Sequence, residues 1–196
     1  MTAGGAGDLR VCVYCASSES IDPRYVALAT AVGDAIAARG WDLVSGGGRV
    51  SMMGAVATAV RAGGRHTIGV IPQALRRFED EDTDADELVV VADMRVRKAR
   101  MEAAADAFVM LPGGIGTLEE FFEAWTARYL GLHDKPVVVL DPDGAFDPLR
   151  GALKELTAAG FVRQAAWDRV HWTRDLDDAL DACRPGGGAR GTIERC

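Results

Sequence analysis

The apolar run Ala107-Phe108-Val109-Met110-Leu111 leads directly into Pro112-Gly113-Gly114-Ile115-Gly116-Thr117-Leu118-Glu119-Glu120. Phe121, Phe122, Trp125 and Tyr129 then follow at helical spacing. The run reads as a buried strand and the aromatic spacing as a helix, so the glycines occupy a strand-to-helix turn. In such a turn the backbone can approach a ligand closely, and the N–H groups of the first helical turn point at it. The helix dipole adds partial positive charge at the same place. The segment therefore reads as a phosphate cradle with two carboxylates, Glu119 and Glu120, one turn inside it. An anion site with acids beside it points to chemistry on a phosphorylated substrate.

The same alternation extends along the chain. Strand-like runs are expected at 10–15, 42–45, 67–71, 87–91, 107–111, 136–140 and 169–172, and helices at 23–39, 52–62, 94–104, 118–130, 148–159 and 176–183. Several of the strands are continuous apolar runs, as expected when helices cover both faces of a sheet. Strands alternating with helices predict an α/β fold: a single-domain, Rossmann-like, doubly wound and mostly parallel sheet. Ligands of such sheets sit at the carboxyl ends of the strands. With 196 residues, 48% of them hydrophobic, one sizeable core is the default. The expected organisation is a flexible N-terminus (1–8), one nucleotide-binding domain (9–184) and a disordered glycine-rich tail (185–196). The polar, acid-rich stretch from Arg76 to Glu87 reads as an exposed loop, with Glu79 near its start.

A net charge of −7 argues against a nucleic-acid or membrane surface. No window approaches the ~18 apolar residues of a membrane span. The opening residues lack a charged and then apolar leader pattern, which predicts a cytoplasmic protein. Cys12 and Cys15 form a C-x-x-C inside a strand-like run, where residues three apart point to opposite faces. They read as buried strand thiols, because a redox pair belongs at a helix N-terminus and a zinc site needs a second pair. His66, His133 and His171 have no ligand-like spacing, and no metal site is predicted.

A second glycine cluster, Gly46-Gly47-Gly48, follows the 42–45 strand and precedes a small-residue helix that opens with Met52, Met53 and Gly54. It reads either as a tight turn or as a second backbone-lined edge of the same site. Neither glycine loop contains the lysine of a triphosphate-binding loop, and Ser51 stands where a dinucleotide fingerprint needs its third glycine. In Asp93-Met94-Arg95-Val96-Arg97-Lys98-Ala99-Arg100-Met101, Asp93 reads as a helix N-cap. Arg97 lies along the stripe of Met94 and Met101. It either snorkels from the edge of that stripe or is held inward, toward a phosphate or a carboxylate. Thr117 and Glu120 have the spacing of a capping box. A helix stripe through Leu118, Phe122, Trp125 and Tyr129 would leave Glu120 on the solvent face, unless the first helical turn lines the mouth of the loop.

Together these pieces resemble the LOG (lonely guy) family, the cytokinin riboside 5′-monophosphate phosphoribohydrolases. The family motif P-G-G-x-G-T-x-x-E is matched in full from Pro112 to Glu120. Its companion, Met-His-x-Arg-Lys, is similar to Met94-Arg95-Val96-Arg97-Lys98. The likeness continues through Val13-Tyr14-Cys15-Ala16-Ser17-Ser18, Leu43 to Gly48, Met53-Gly54, Ile68 to Pro72 and His133 to Pro136, and covers about residues 10–183. Three departures stand out: Arg95 for histidine, Ser45 for a common tyrosine, and Val50-Ser51 for Gly-Leu. They bear on base preference more than on the reaction.

The resemblance implies hydrolysis of the N-glycosidic bond of an adenosine-type or cytokinin nucleoside 5′-monophosphate by a homodimer that needs no metal or organic cofactor. It implies Glu120 and Arg97 as catalytic residues. It implies substrate contacts from Ser17, Gly46, Gly47, Gly48, Glu79, Met94, Lys98, Gly113, Gly114, Ile115, Gly116, Thr117 and Glu119, with Lys98 adding charge near the phosphate. A general AMP or purine nucleotide nucleosidase, or a non-catalytic nucleotide or cofactor carrier on the same fold, are the alternatives. The older label of lysine decarboxylase would require a pyridoxal phosphate Schiff base, and among the chain's lysines, Lys98, Lys135 and Lys154, Lys98 fits better beside a phosphate. The aromatic helix after the glycine loop reads either as core or as part of the dimer interface.

Overall fold

The strands β1 (Arg10–Tyr14), β2 (Asp42–Ser45), β3 (Thr67–Pro72), β4 (Glu87–Val91), β5 (Ala107–Met110), β6 (Val137–Leu140) and β7 (His171–Thr173) form one sheet in the computed structural model. The helices are α1 (Pro23–Ala38), α2 (Ser51–Ala62), α3 (Met94–Ala104), α4 (Ile115–Tyr129), α5 (Asp147–Ala158), α6 (Gln164–Trp167) and α7 (Leu176–Asp181). The structure describes residues 9–76 and 80–185. The expected flexible N-terminus, Glu79 and residues 186–196 of the expected tail lie outside the described residues.

The strand order is β4-β3-β2-β1-β5-β6-β7, and every pairing is parallel. The chain winds outward from β1 to β4, then returns to the other side of β1 with β5. That reversal opens a crevice at the carboxyl ends of β1 and β5, where open parallel sheets bind ligands. The two faces have separate cores, set by the two-residue period of the strands. On β1, Val11, Val13 and Cys15 pack on one side with α1, α2 and α7, while Cys12 and Tyr14 pack on the other with α3, α4 and α5. The C-x-x-C pair is thus split between two cores, and both thiols are free and buried.

Local signals place the helices. Asp22 caps α1 by accepting from the Arg24 N–H at 3.0 Å, and Pro23 supplies a first helical residue that has no N–H to satisfy. Asp93 caps α3 by accepting from the Arg95 and Val96 N–H groups, as its position predicts. Four expectations are corrected. The helix after the glycine loop starts at Ile115 rather than at 118, a short α6 precedes β7, and β7 itself lies one or two residues later than expected. The stretch from Arg76 to Glu87 is not uniformly exposed: Asp82 is 2% accessible and pairs with Arg61 at 2.8 Å. Its N–H also donates to the Gly47 carbonyl. An acid-rich composition hides one buried, paired carboxylate.

Helices α1 and α2 approach through Gly33, where a Cβ would lie 2.6 Å from both the Ala59 Cβ and the Val56 carbonyl oxygen. Gly33→Ala therefore overpacks a contact that includes backbone. The expected loss is about 1–3 kcal/mol of folding stability, read as a lower urea midpoint at unchanged slope.

Candidate active site

Three strand ends open onto one cleft of about 270 Å³. Ser17 and Ser18 reach it after β1, Gly46 after β2, and Gly114 to Thr117 after β5. Met53, Leu75 and Met94 add an apolar wall.

Helix α4 supplies the cradle. Its N-cap is Gly114, and no side chain caps it. Thr117 is therefore the third helical residue and not a cap, which corrects the capping-box reading. The first-turn N–H groups, which a helix leaves without intrahelical acceptors, belong to residues that line the cleft. Gly113 stands just outside, where a Cβ would come within 2.2 Å of the Thr117 hydroxyl oxygen. Its lack of a side chain makes room for Thr117, which is buried at 4% exposure.

The face that α4 buries also explains Glu120. The buried face of α4 runs through Thr117, Phe121, Ala124 and Trp125, while Leu118 and Phe122 are only half-buried. That rotation brings Glu120, one turn beyond Thr117, to the cleft instead of to solvent. Its side chain is 13% exposed.

Arg97 adopts the inward course. It is 5% exposed, and its guanidinium donates through Nε to the Val70 carbonyl at 3.1 Å and through Nη2 to the Gly46 carbonyl at 2.9 Å. Its Nη1 lies 4.0 Å from Glu120 Oε1 and 3.8 Å from Met94 Sδ. Two carbonyls from two strand ends thus fix the guanidinium plane, and the remaining edge faces the carboxylate. The groups around this pair stay protonated. Burial, reinforced by the Glu120 charge, pushes the Cys12, Cys15 and Tyr14 pKa values well above their ordinary ranges. Cys15 lines the cleft but offers no thiolate nucleophile.

Several expected site residues stand elsewhere. Lys98 is not part of the cleft wall; it is ion-paired with Glu119 and Glu123 between α3 and α4. Glu119 itself does line the cleft, as do Ser17, Met94, Gly114, Ile115 and Gly116. Gly47 and Gly48 turn away: Gly47 packs on Val70 and Ile71 at φ +77°, and Gly48 bridges to Glu81. Gly46 keeps its place for an unexpected reason, since a Cβ there would fall 1.9 Å from Arg97 Nη2. Among the departures, Arg95 is exposed outside the cleft, and Ser45 is buried and accepts from the Gly47 N–H. Leu75 was not anticipated. The only signal for it is an apolar residue just past the carboxyl end of β3.

Comparison with known proteins agrees with this architecture. A family model described as "Possible lysine decarboxylase" matches residues 53–183. A cytokinin riboside 5′-monophosphate phosphoribohydrolase of Mycobacterium marinum is 55% identical over 92% of this chain and 96% of its own length. The Mycobacterium tuberculosis protein of the same name is 53% identical over 91% and 95%. In Arabidopsis thaliana, the cytokinin riboside 5′-monophosphate phosphoribohydrolase LOG3 is 43% identical over 80% and 73%. Among solved structures, a Moco carrier protein from Chlamydomonas reinhardtii shares the fold, with a TM-score of 0.66 at 23% identity over 89% of this chain and 94% of that one.

The Gly46–Arg97 contact is testable by a double-mutant cycle. Gly46→Ala should cost about 1–3 kcal/mol in urea unfolding by driving a Cβ into the guanidinium. Combined with Arg97→Ala, the two losses should fall short of additive by at least ~1 kcal/mol. Strict additivity would place the strain of Gly46→Ala somewhere other than Arg97.

Proposed function

The chain belongs to the LOG family of cytokinin riboside 5′-monophosphate phosphoribohydrolases, and on that footing we propose that it cleaves the N-glycosidic bond of cytokinin or adenosine-type nucleoside 5′-monophosphates, giving free base and ribose 5-phosphate. The observation that carries the reading is the Arg97–Glu120 contact, set one turn inside the N-terminus of α4.

The 5′-phosphate sits at the first-turn N–H groups of α4 and the Thr117 hydroxyl, where the helix dipole favours an anion. As the bond from C1′ to the base lengthens, positive charge grows on the sugar. Glu120 stabilises that charge and polarises the attacking water. The water oxygen ends on C1′, one of its protons ends on the departing base, and no external reductant or oxidant enters the balance. Arg97, clamped by the Val70 and Gly46 carbonyls, orients the Glu120 carboxylate. Glu119 is held by Lys98 and lies within reach of a ribose hydroxyl. No lysine lines the cleft: Lys98 is paired with carboxylates, Lys135 donates to the Glu102 carbonyl, and Lys154 is exposed. That placement favours glycosidic chemistry over a lysine Schiff base.

A homodimer is part of the proposal. Leu130, Leu132 and Phe161 are 63%, 74% and 81% exposed, and they flank an apolar groove bearing Phe122, Trp125 and Tyr129. Such a surface fits a self-association face better than open solvent. A cytoplasmic location completes the proposal, supported by the free, buried Cys12, Cys15 and Cys183.

Incubation with AMP and with N6-isopentenyladenosine 5′-monophosphate, resolved by chromatography, should release free base and ribose 5-phosphate. The matching nucleosides should be poor substrates, because the phosphate anchor supports the reacting centre. Inorganic phosphate with intact nucleoside would instead show a phosphatase. Glu120→Gln and Arg97→Ala should stay folded and lose about 100-fold or more in turnover. A Glu120→Gln enzyme within about threefold of the parent, under ~1 kcal/mol of barrier, removes Glu120 from the chemistry. Sedimentation at micromolar concentration should show a species of twice 20.8 kDa; a single 20.8 kDa species rules out the dimer.

A further inference from the structure

Two non-glycine residues among the described ones carry a left-handed backbone: Ser51 at φ +52° and Asp80 at φ +45°. Both flank the turn that joins β2 to α2. On one side, the Asp80 carbonyl accepts from the Arg49 N–H at 2.9 Å, and its carboxylate accepts from Arg49 Nε at 3.0 Å. On the other side, the Ser51 hydroxyl donates to the Ser18 carbonyl at 2.6 Å. Between them, the Gly46 carbonyl accepts from Arg97. The turn is therefore tied to the β3–β4 crossover, to Arg97 and to the wall of the cleft at Ser17 and Ser18.

A side chain at φ +52° is disfavoured, and glycine would adopt this backbone without strain. Strained non-glycine residues persist where the surroundings over-determine them, and they cluster at ligand clamps. Here the side chain that imposes the strain also makes the contact to the cleft wall. We propose that Ser51 is a positioning residue whose hydroxyl, through the Ser18 carbonyl, sets the width of the nucleotide cleft opposite the N-terminus of α4. The proposal rests on the functional reading above and adds to it a determinant of substrate affinity. Ser51 touches no reacting atom; it acts through Ser18.

Four residues at position 51 separate the hydroxyl from the backbone. Serine and Ser51→Thr carry it, whereas Ser51→Gly and Ser51→Ala do not. Glycine relieves the left-handed strain, alanine keeps it, and branched threonine increases it. Each protein is measured for Tm, for kcat and KM with AMP and N6-isopentenyladenosine 5′-monophosphate, and for the calorimetric Kd of ribose 5-phosphate. Stability should follow the backbone, with Gly at least as stable as the parent and Thr below it. Affinity should follow the hydroxyl: KM and Kd rise about fivefold to tenfold in Ser51→Gly and Ser51→Ala, stay near parental in Ser51→Thr, and kcat moves less than twofold. If KM and Kd instead track Tm, or if Ser51→Gly binds within twofold of the parent, Ser51 only shapes its own turn and the proposal is overturned. A parent that releases no base while Kd still follows the hydroxyl would defeat the functional reading and leave the clamp standing.

Discussion

The site depends on one buried guanidinium. Arg97 bridges the ends of β2 and β3 through two carbonyls and faces Glu120 on α4. A buried cation without partners is strongly unfavourable, and breaking such a pair typically costs about 3–5 kcal/mol. The arrangement around Arg97 is therefore mutually enforcing. Gly46 has no side chain because the guanidinium fills that space. Gly47 turns with positive φ so that the chain can leave the strand without closing over it. The Arg61–Asp82 pair then pins the β3–β4 crossover against that turn, through the Asp82 N–H and the Gly47 carbonyl.

Most of the fold was legible because apolar strand runs and helix-spaced segments take turns along the chain. Continuous apolar strands alternate with helices, and the sheet is parallel throughout, as that alternation requires. What was misread depended on phase. Apolar spacing pointed to a stripe through Leu118, Phe122, Trp125 and Tyr129 and sent Glu120 to solvent. The face that packs on the sheet instead runs through Thr117, Phe121, Ala124 and Trp125, which leaves Glu120 at the cleft. Glycine signals proved ambiguous for a related reason. Gly113 and Gly46 are required by side chains packed against them, Thr117 and Arg97, so the glycine-rich loops border the cleft while individual glycines have other duties. Lys98 shows the limit of reading charge from a motif: adjacency to Arg97 in sequence places it about 100° around the helix, where Glu119 and Glu123 claim it.

Burial tunes the rest of the cleft by exclusion. Tyr14, Cys12 and Cys15 are nucleophiles or acids in principle, but all three sit in strand β1 or at its end, where low polarity and the nearby carboxylate keep them neutral. The cleft therefore offers a neutral wall at β1, a partial positive end at α4, and one acid–guanidinium pair. Under the proposed function, charge that develops on the sugar meets Glu120 and finds no competing anion in β1.

The last constraint is geometric. The phosphate anchor and Glu120 lie on the same helix, from Ile115 at its first position to Glu120 five residues on, a rise of about 7.5 Å. A helix held by Phe121 and Trp125 in the core is a stiff spacer, so the distance from anchored phosphate to carboxylate does not depend on loop motion. Under the proposed function the reacting sugar carbon falls between the two, and selectivity for a 5′-phosphorylated ribose follows from that fixed spacing. The base, under the same proposal, lies on the apolar wall, where Met53 comes from α2, Met94 from α3 and Leu75 from the turn after β3. Base preference can change through those side chains without disturbing the spacing from the N-terminus of α4 to Glu120.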